Sequence, residues 1–181
     1  MLDDARTVEK LRILDKVCFP VTYHDKYYKA LVDNGFSKLS NVAVYHDVVV
    51  GSITTRLQTE DDGVLRAYIM TLGVLPPYRG LGIATQLLQE TLAFVASRPD
   101  VTEITLHVQV GSPALRLYQK NGFEVKAEVP NYYTDIEPTN DALLLSKQVS
   151  QAYHRHDFTE VAVVSFALNV QWQASSAFRR R

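Results

Sequence analysis

The sequence is short of the residues that mark secreted, nucleic-acid-binding or membrane-embedded proteins. It has one cysteine, Cys18, which excludes an internal disulfide and is typical of a reducing compartment. Its net charge of −1 at pH 7 supplies no basic field for nucleic acid, and no apolar run approaches membrane-spanning length. It begins Met1-Leu2-Asp3-Asp4, which is acidic where a signal peptide is basic. We therefore expect a cytoplasmic protein, with the nucleus as an additional location, that binds neither nucleic acid nor membrane.

Apolar residues make up 46% of the 181, enough to bury one core, and their spacing predicts a single α/β domain. Helical or strand-like patterns predict helix 7–18, helix 26–32, strands 41–45, 48–55 and 68–74, helix 83–96, strand 103–109, helix 112–120 and strands 123–129 and 142–148. Strands with helices between them are typical of an α/β sheet. We assign residues 1–149 to this domain and 150–181 to a C-terminal extension that is disordered or peripheral. The alternative is that residues 161–170 add an edge strand to the sheet.

The most informative segment is a glycine-containing loop between the predicted strand 68–74 and the predicted helix 83–96. It reads Pro76-Pro77-Tyr78-Arg79-Gly80-Leu81-Gly82-Ile83-Ala84. A helix N-terminus leaves backbone N–H groups unpaired and carries partial positive charge, and small residues let an anion approach it. The loop differs from a nucleotide-binding P-loop, which needs lysine after the last glycine, and from the Rossmann fingerprint, whose glycines follow the strand directly. It therefore predicts a different kind of pyrophosphate site.

The pattern Arg79-x-x-Gly82-x-Ala84 resembles the acyl-CoA pyrophosphate loop of the GNAT acetyltransferases. Within that superfamily, six ordered blocks spanning about residues 11–147 are similar to the San-type catalytic subunits of N-terminal acetyltransferase E. Besides the loop, the blocks are Phe19-Pro20-Val21-x-Tyr23, Tyr68-Ile69-Met70-Thr71-Leu72-Gly73, Leu106-His107-Val108-Gln109, Tyr118-x-Lys120-x-Gly122-Phe123-Glu124 and Asn131-Tyr132-Tyr133-x-x-Ile136-Glu137-Pro138. The resemblance implies the GNAT fold, in which a mixed, twisted central sheet with flanking helices opens into a splayed acetyl-CoA cleft.

The resemblance further implies that Tyr68 and His107 are the catalytic pair and relay a proton through ordered water. The accepting α-amine has a pKa near ~8 and is mostly protonated at neutral pH, so a base must remove a proton. An ordinary histidine, with a pKa of about 6.5, suits this task. Tyrosine, with an ordinary pKa of about 10, would position the water or pass a proton through its hydroxyl. Either residue alone would also fit a simple packing role on a strand.

The cofactor contacts that the resemblance implies all concern acetyl-CoA, as a co-substrate, and no metal. A backbone N–H of Leu72 would stabilise the developing oxyanion, and pantetheine would lie along the strand there. The full set of expected contacts is Leu72, Gly73, Val74, Arg79, Gly80, Leu81, Gly82, Ile83, Ala84, Thr85, Ser112 and Tyr118. Tyr118 would assist the leaving thiolate, or alternatively only pack on the sheet. Gly111-Ser112-Pro113 departs from the family pattern, although Ser112 could still cap the following helix.

A protein N-terminus is the expected second substrate, held between two loops. One loop would pocket its first side chain and the other would grip its backbone; the expected contacts are Phe19, Pro20, Val21, Tyr23, Met70, Tyr132 and Tyr133. The apolar first loop agrees with the family's choice of a retained initiator methionine followed by an apolar residue. The aromatics beside Pro20 would equally fit a small satellite core.

Two other functions stay open. A lysine ε-amino acetyltransferase would need a stronger base, because lysine has a pKa near ~10.4, and no obvious glutamate serves that role. A weakly catalytic binding subunit would partner a large auxiliary subunit of a ribosome-associated acetyltransferase complex. The presence of both Tyr68 and His107 argues against the second alternative.

Overall fold

One mixed β-sheet organises the part of the chain that the computed structural model describes, residues 5–33 and 39–149. Its six strands are β1 Asn41–Tyr45, β2 Val48–Thr59, β3 Leu65–Val74, β4 Glu103–Gln109, β5 Glu124–Val129 and β6 Ala142–Gln148. They lie in the order β1-β2-β3-β4-β6-β5. Neighbouring strands are antiparallel except β3 and β4, which are parallel. The prediction of a mixed α/β sheet is confirmed.

The parallel pair β3 and β4 opens into a cleft. These strands are in register only where Ala67 lies opposite Ile104 and Tyr68 lies opposite Thr105. Beyond that point β3 continues to Val74 on one side of the opening, and β4 continues on the other. The predicted splay of the sheet is therefore present, and within residues 5–33 and 39–149 no strand pairs with the cleft-facing edge of β3 after Tyr68.

A β-bulge in β3 lies at the start of this cleft. Thr54 of β2 pairs with Thr71, whereas the next residue, Thr55, pairs with Ile69, so Met70 is an extra residue in β3. A bulge bends its strand and increases the local twist. The bulge lies two residues after Tyr68, where pairing with β4 ends, and it bends β3 away from β4 at this point.

Helices pack on both faces of the sheet. α1 Ala5–Cys18 and α2 Asp25–Asp33 cover one face, while α3 Ile83–Ala96 and the short α4 Leu115–Lys120 pack into the larger core on the other. α3 turns a continuous stripe towards the sheet, formed by Leu87, Leu88, Thr91 and Val95. Full burial of a leucine or valine side chain stabilises a fold by roughly 1.5–3 kcal/mol, so the apolar spacing of α3 is sufficient to explain its position.

Several element bounds differ from the sequence prediction. β2 and β3 extend towards their shared turn as far as Thr59 and Leu65, because antiparallel pairing continues through residues whose polar side chains concealed the strand pattern. The predicted start of a helix at Ser112 is wrong, since α4 begins at Leu115. The hydroxyl of Ser112 accepts the N–H of Ala114 at 3.3 Å, so it caps the turn that precedes the helix.

Among the described residues, no helix combines the length and the apolar character needed to cross a membrane. The predicted C-terminal extension, residues 150–181, and the alternative edge strand at 161–170 lie outside the described residues. The assignment of these residues to an extension stays a prediction.

Candidate active site

Tyr68 and His107 meet at the point where β3 and β4 separate. Tyr68 is opposite Thr105, and His107 follows Thr105 by two residues, so both side chains leave the same face of the sheet. Tyr68 Oη lies 3.0 Å from His107 Nδ1, at hydrogen-bonding distance. The structure thus brings together the two predicted catalytic residues, which are 39 positions apart in the chain.

Tyr132, which the sequence assigned to the peptide backbone, contacts both of these residues. Its hydroxyl oxygen lies 3.0 Å from that of Tyr68, and its ring stacks on His107 with centroids 3.9 Å apart and planes 8° apart. Its side chain is 42% exposed. Tyr132 therefore forms the outer end of a continuous hydrogen-bonded chain that runs from solvent through Tyr68 to His107.

Burial decides which member of this chain can accept a proton. It lowers the pKa of His107 below its ordinary value, so the imidazole is neutral at neutral pH. Burial, together with the hydrogen bond to Tyr132, raises the pKa of Tyr68 above that of an ordinary tyrosine. The Arg56 guanidinium, 5.2 Å from the Tyr68 ring centroid, opposes that increase only weakly. Of the two, His107 is therefore the group able to accept a proton at neutral pH, and Tyr68 is a neutral hydroxyl.

The β3 edge along the cleft offers backbone donors beyond Tyr68. The N–H of Leu75 donates to Val50 O on β2 at 2.9 Å. Successive residues of a strand point their N–H groups to alternate edges, so Leu72 and Val74 direct theirs into the cleft. Gly73, between them, is needed for packing, because a Cβ there would lie 3.0 Å from the Phe19 ring. The predicted pantetheine segment, Leu72 to Val74, thus has an unpaired edge on one side and the end of α1 packed over it.

The predicted pyrophosphate loop has the open geometry that an anion needs. Gly80 and Gly82 adopt left-handed φ angles of 77° and 82°, and a Cβ at either position would meet no atom within 4 Å. Gly82 is the N-cap of α3, no side chain caps this helix, and its first backbone hydrogen bond runs from Gln86 N to Gly82 O. The N–H groups of the first helical residues, Ile83, Ala84 and Thr85, therefore point towards the loop without a helical acceptor.

The other loop contacts follow from this arrangement. Arg79 donates from Nε to Val74 O at 2.9 Å and so fastens the loop to the end of β3. Leu81 projects outwards and is 65% exposed. The residues of the loop and the first turn of α3 fit the diphosphate of acetyl-CoA, because they combine small residues, free N–H groups and a helix N-terminus.

Tyr118 on α4 is buried and packs edge-on against Phe123, with ring centroids 5.7 Å apart. Of the two roles that the sequence left open for Tyr118, this contact corresponds to packing. Burial also raises the pKa of Tyr118, so its hydroxyl is a neutral donor at physiological pH. Whether it assists a leaving thiolate, and whether Ser112 contacts CoA, stay predictions.

The predicted peptide loop between α1 and α2 packs through its aromatic rings. Phe19 meets Tyr23 edge-on at 6.0 Å, and Tyr23 stacks on Tyr27 at 4.7 Å. Tyr23 and Met70 also pack against a small core centred on Val8, Leu11, Tyr28 and Leu31. Tyr23 is therefore part of a satellite core, while Pro20 is exposed and Val21 is half-buried; a role of these residues in binding the peptide stays a prediction.

The second peptide loop, between β5 and β6, is held against the strand that carries His107. Gln109 donates from Nε2 to the carbonyls of Glu137 and Thr139, at 3.0 and 2.7 Å. Inside the loop, Tyr133 N donates to Asn140 O at 2.8 Å. Sequence reasoning missed this role of Gln109, although Gln109 lies inside a matched block. It fastens the loop that carries Tyr132 and Tyr133 to β4, two residues after His107.

Comparison with known proteins agrees with this geometry. The sequence profile of the "Acetyltransferase (GNAT) family" matches residues 8–123. The chain is 40% identical over 143 residues to N-alpha-acetyltransferase 50 of Danio rerio, covering 78% of this chain and 83% of the relative. It is 39% identical over 141 residues to the probable N-acetyltransferase san of Drosophila melanogaster, covering 77% and 74%. The structure of Arabidopsis thaliana Naa50 in complex with the bisubstrate analogue CoA-Ac-MVNAL matches with a TM-score of 0.71 at 42% identity, covering 80% of this chain and 93% of that one.

Proposed function

This chain belongs to the acetyltransferase (GNAT) family, and we propose that it acetylates the α-amine of protein N-termini with acetyl-CoA as donor. The observation that carries the proposal is the contact of Tyr68 with His107 at 3.0 Å, at the mouth of the cleft between β3 and β4. The glycine loop at the start of α3 supplies the site for acetyl-CoA, and Tyr132 of the loop between β5 and β6 contacts the pair directly. The peptide terminus would approach the pair beside Tyr132.

The proton leaves the amine through His107. Amide formation joins the amine nitrogen to the acetyl carbon and breaks the carbon–sulfur bond, and the nitrogen must lose a proton to attack. The lowered pKa of His107 keeps the imidazole neutral and able to accept that proton, directly or through water. Tyr68 holds the acceptor in place, and the exposed hydroxyl of Tyr132 connects the pair to solvent.

The chain's own donors stabilise the charge that develops during transfer. Acetyl-CoA supplies an activated thioester carbonyl. The cleft-facing N–H of Leu72 is a preorganised donor for the carbonyl oxygen, and no side chain has to reorganise to supply it. The N-terminus of α3 holds the diphosphate, and the neutral hydroxyl of Tyr118 would donate a hydrogen bond to the departing thiolate while keeping its own proton.

The preferred substrate is a terminus with methionine first and an apolar residue second. The half-buried rings of Phe19 and Tyr23 supply apolar walls, and the relative from Arabidopsis thaliana is bound to an analogue whose peptide begins Met-Val. Burial of a thioether side chain in such a pocket contributes on the order of 1–3 kcal/mol.

Acetylation of synthetic peptides tests the proposal. The panel begins Met-Val, Met-Leu, Ser or Ala, and a peptide with a blocked N-terminus and an internal lysine is the control. We expect higher kcat/KM for the methionine termini and no transfer to the blocked peptide. Preference for the lysine control would instead support the lysine acetyltransferase. In the described part of the chain, no carboxylate contributes to the pKa shift of Tyr68 or His107, which argues against that alternative.

We further propose that the chain binds a large auxiliary subunit of a ribosome-associated complex. We also propose that it is located in the cytoplasm, with the nucleus as an additional location. Their support is the similarity to San-type enzymes. Sedimentation of the tagged chain with ribosomes in cell extract, and imaging of the same chain in intact cells, test the two statements separately. The assembled catalytic pair argues against a purely binding role within such a complex.

A further inference from the structure

Tyr27 on α2 makes a polar contact with the sheet that no step of the reaction uses. Its hydroxyl oxygen lies 2.8 Å from Thr54 Oγ1 and 3.4 Å from Thr71 Oγ1. The two threonine hydroxyls lie 2.6 Å from each other, and both side chains are buried. The three hydroxyls therefore form a closed hydrogen-bonded cluster between α2 and the strands β2 and β3.

The cluster lies at a critical point of β3. Thr54 and Thr71 are the paired residues directly beside the bulge at Met70. Leu72, whose N–H faces the cleft, directly follows Thr71. Tyr68 lies three residues before Thr71. The cluster therefore fastens α2 to β2 and β3 beside the bulge.

The ring of Tyr27 connects the same point to the peptide loop. It stacks on Tyr23 with centroids 4.7 Å apart and planes 28° apart, and Tyr23 in turn packs edge-on against Phe19. Stacking alone lets two rings slide over each other, whereas a hydrogen bond at the far end of one ring sets its position. Burial raises the pKa of Tyr27 to about 12, so the hydroxyl keeps its proton across physiological pH.

The neighbouring tyrosine makes no equivalent link. Tyr28 donates its hydroxyl to Asp15 Oδ2 at 3.1 Å, which joins α2 to α1 and not to the sheet. Tyr27 is therefore the residue of α2 whose hydroxyl reaches the bulge.

We propose that Tyr27 is a positioning residue for the peptide substrate: its hydroxyl, held by Thr54 and Thr71, sets the Tyr23 wall of the peptide loop relative to β3. This role rests on the proposed function, and it concerns the peptide side of the site. Among the hydrogen bonds of the described residues, none joins Tyr27, Thr54 or Thr71 to the acetyl-CoA loop at the start of α3.

Steady-state kinetics of Tyr27→Phe in the full chain test the role. We expect the KM for a Met-Val peptide to rise about fivefold, the effect of losing one hydrogen bond of about 1 kcal/mol, with the KM for acetyl-CoA unchanged. Thr54→Val should have the same effect, and Thr54→Ser, which keeps a hydroxyl, should retain the wild-type KM. The double variant Tyr27→Phe/Thr54→Val should be no worse than either single variant.

Thr55→Val is the matched control. Its hydroxyl is also buried on β2 but has no hydrogen-bond partner among the described residues, so its removal should leave both KM values unchanged. Parallel increases in the KM of both substrates in Tyr27→Phe would indicate general loosening of the fold and would overturn the proposal.

Hydrogen exchange of the amides of residues 19–24 provides a readout that needs no catalysis. Exchange should be faster in Tyr27→Phe and Thr54→Val than in wild type or Thr55→Val. Unchanged exchange together with unchanged peptide KM would overturn the positioning role while leaving the proposed function intact. A wild-type protein that acetylates no peptide would overturn the proposed function, and with it the role in peptide binding.

Discussion

At the scale of single residues, burial has opposite effects on the two partners of the Tyr68–His107 hydrogen bond. It raises the pKa of Tyr68 and lowers the pKa of His107. Desolvation disfavours the charged form of each group, so the imidazole loses its proton more readily and the phenol holds its proton more tightly. One environment therefore creates both a neutral imidazole and a neutral hydroxyl, and no carboxylate of the described residues contributes to either shift.

Substitution of either residue should slow the chemical step. We expect Tyr68→Phe and His107→Ala each to lower kcat by roughly 10²-fold or more, the usual size of a lost proton relay, with acetyl-CoA affinity nearly unchanged. Initial rates with a Met-Val peptide and calorimetric titration of acetyl-CoA measure the two quantities. The exposed Tyr45→Phe is the control, and full activity of both site variants would remove the pair from the mechanism.

Asp15 on α1 should make stability depend on pH. It is 1% exposed, and burial raises its pKa to about 6. Between about pH 4 and pH 6, Asp15 is therefore protonated in the folded state, whereas in the unfolded chain, with a carboxyl pKa of about 3.9, it has lost its proton. This contribution to stability is fully present below about pH 4 and is lost as the pH rises through about 6.

Asp15→Asn cannot ionise and still offers an acceptor to Tyr28. We expect it to raise the free energy of unfolding at pH 7.5 by on the order of 1–3 kcal/mol, and to change it little at pH 4. Urea denaturation at the two pH values measures the difference, with the exposed Asp47→Asn as control. An equal effect at both pH values would show that ionisation of Asp15 is not the cause.

At the scale of elements, the N-terminus of α3 is prepared for an anion by the backbone of the preceding loop. Gly82 caps the helix with a φ of 82°, and the space beside it is open. A β-branched side chain there would be strained by the left-handed backbone and would occupy the approach to the free N–H groups.

Gly82→Val should therefore weaken acetyl-CoA binding by more than about 1.4 kcal/mol, or tenfold. Gly63→Val is the control, because Gly63 also has a left-handed φ, 76°, with open space around it, but lies in the turn between β2 and β3. Calorimetry on both folded variants separates backbone strain from loss of the site. Equal affinities would contradict the assignment of the loop to the diphosphate.

At the scale of the whole molecule, all six strands of the described sheet and both residues of the Tyr68–His107 pair precede residue 150. β6 ends at Gln148 and already lies between β4 and β5. We expect a chain that ends after Ser150 to melt within a few degrees of the full chain and to keep its activity. A fall in Tm of more than several degrees would instead support the alternative in which residues 161–170 add an edge strand.

Features that depend on neighbours in the chain could be predicted from the residues alone. The helix 83–96 follows from its apolar spacing, and its predicted bounds are those of the structure. The glycine loop is recognisable because left-handed φ angles favour glycine wherever the loop is placed. The six ordered blocks were sufficient to predict the family, which the comparisons confirm.

Contacts between residues far apart in the chain could not be predicted from local patterns, because they depend on how the elements pack. Tyr132 reaches Tyr68 across 64 positions, and Tyr27 reaches Thr54 across 27, because sheet register and loop packing bring them together. The bulge at Met70 depends on how β3 pairs with β2, and the direction of the pKa shift of His107 depends on what covers it. Local sequence patterns specify backbone geometry within an element, whereas burial and side-chain contacts arise from the packing of several elements at once.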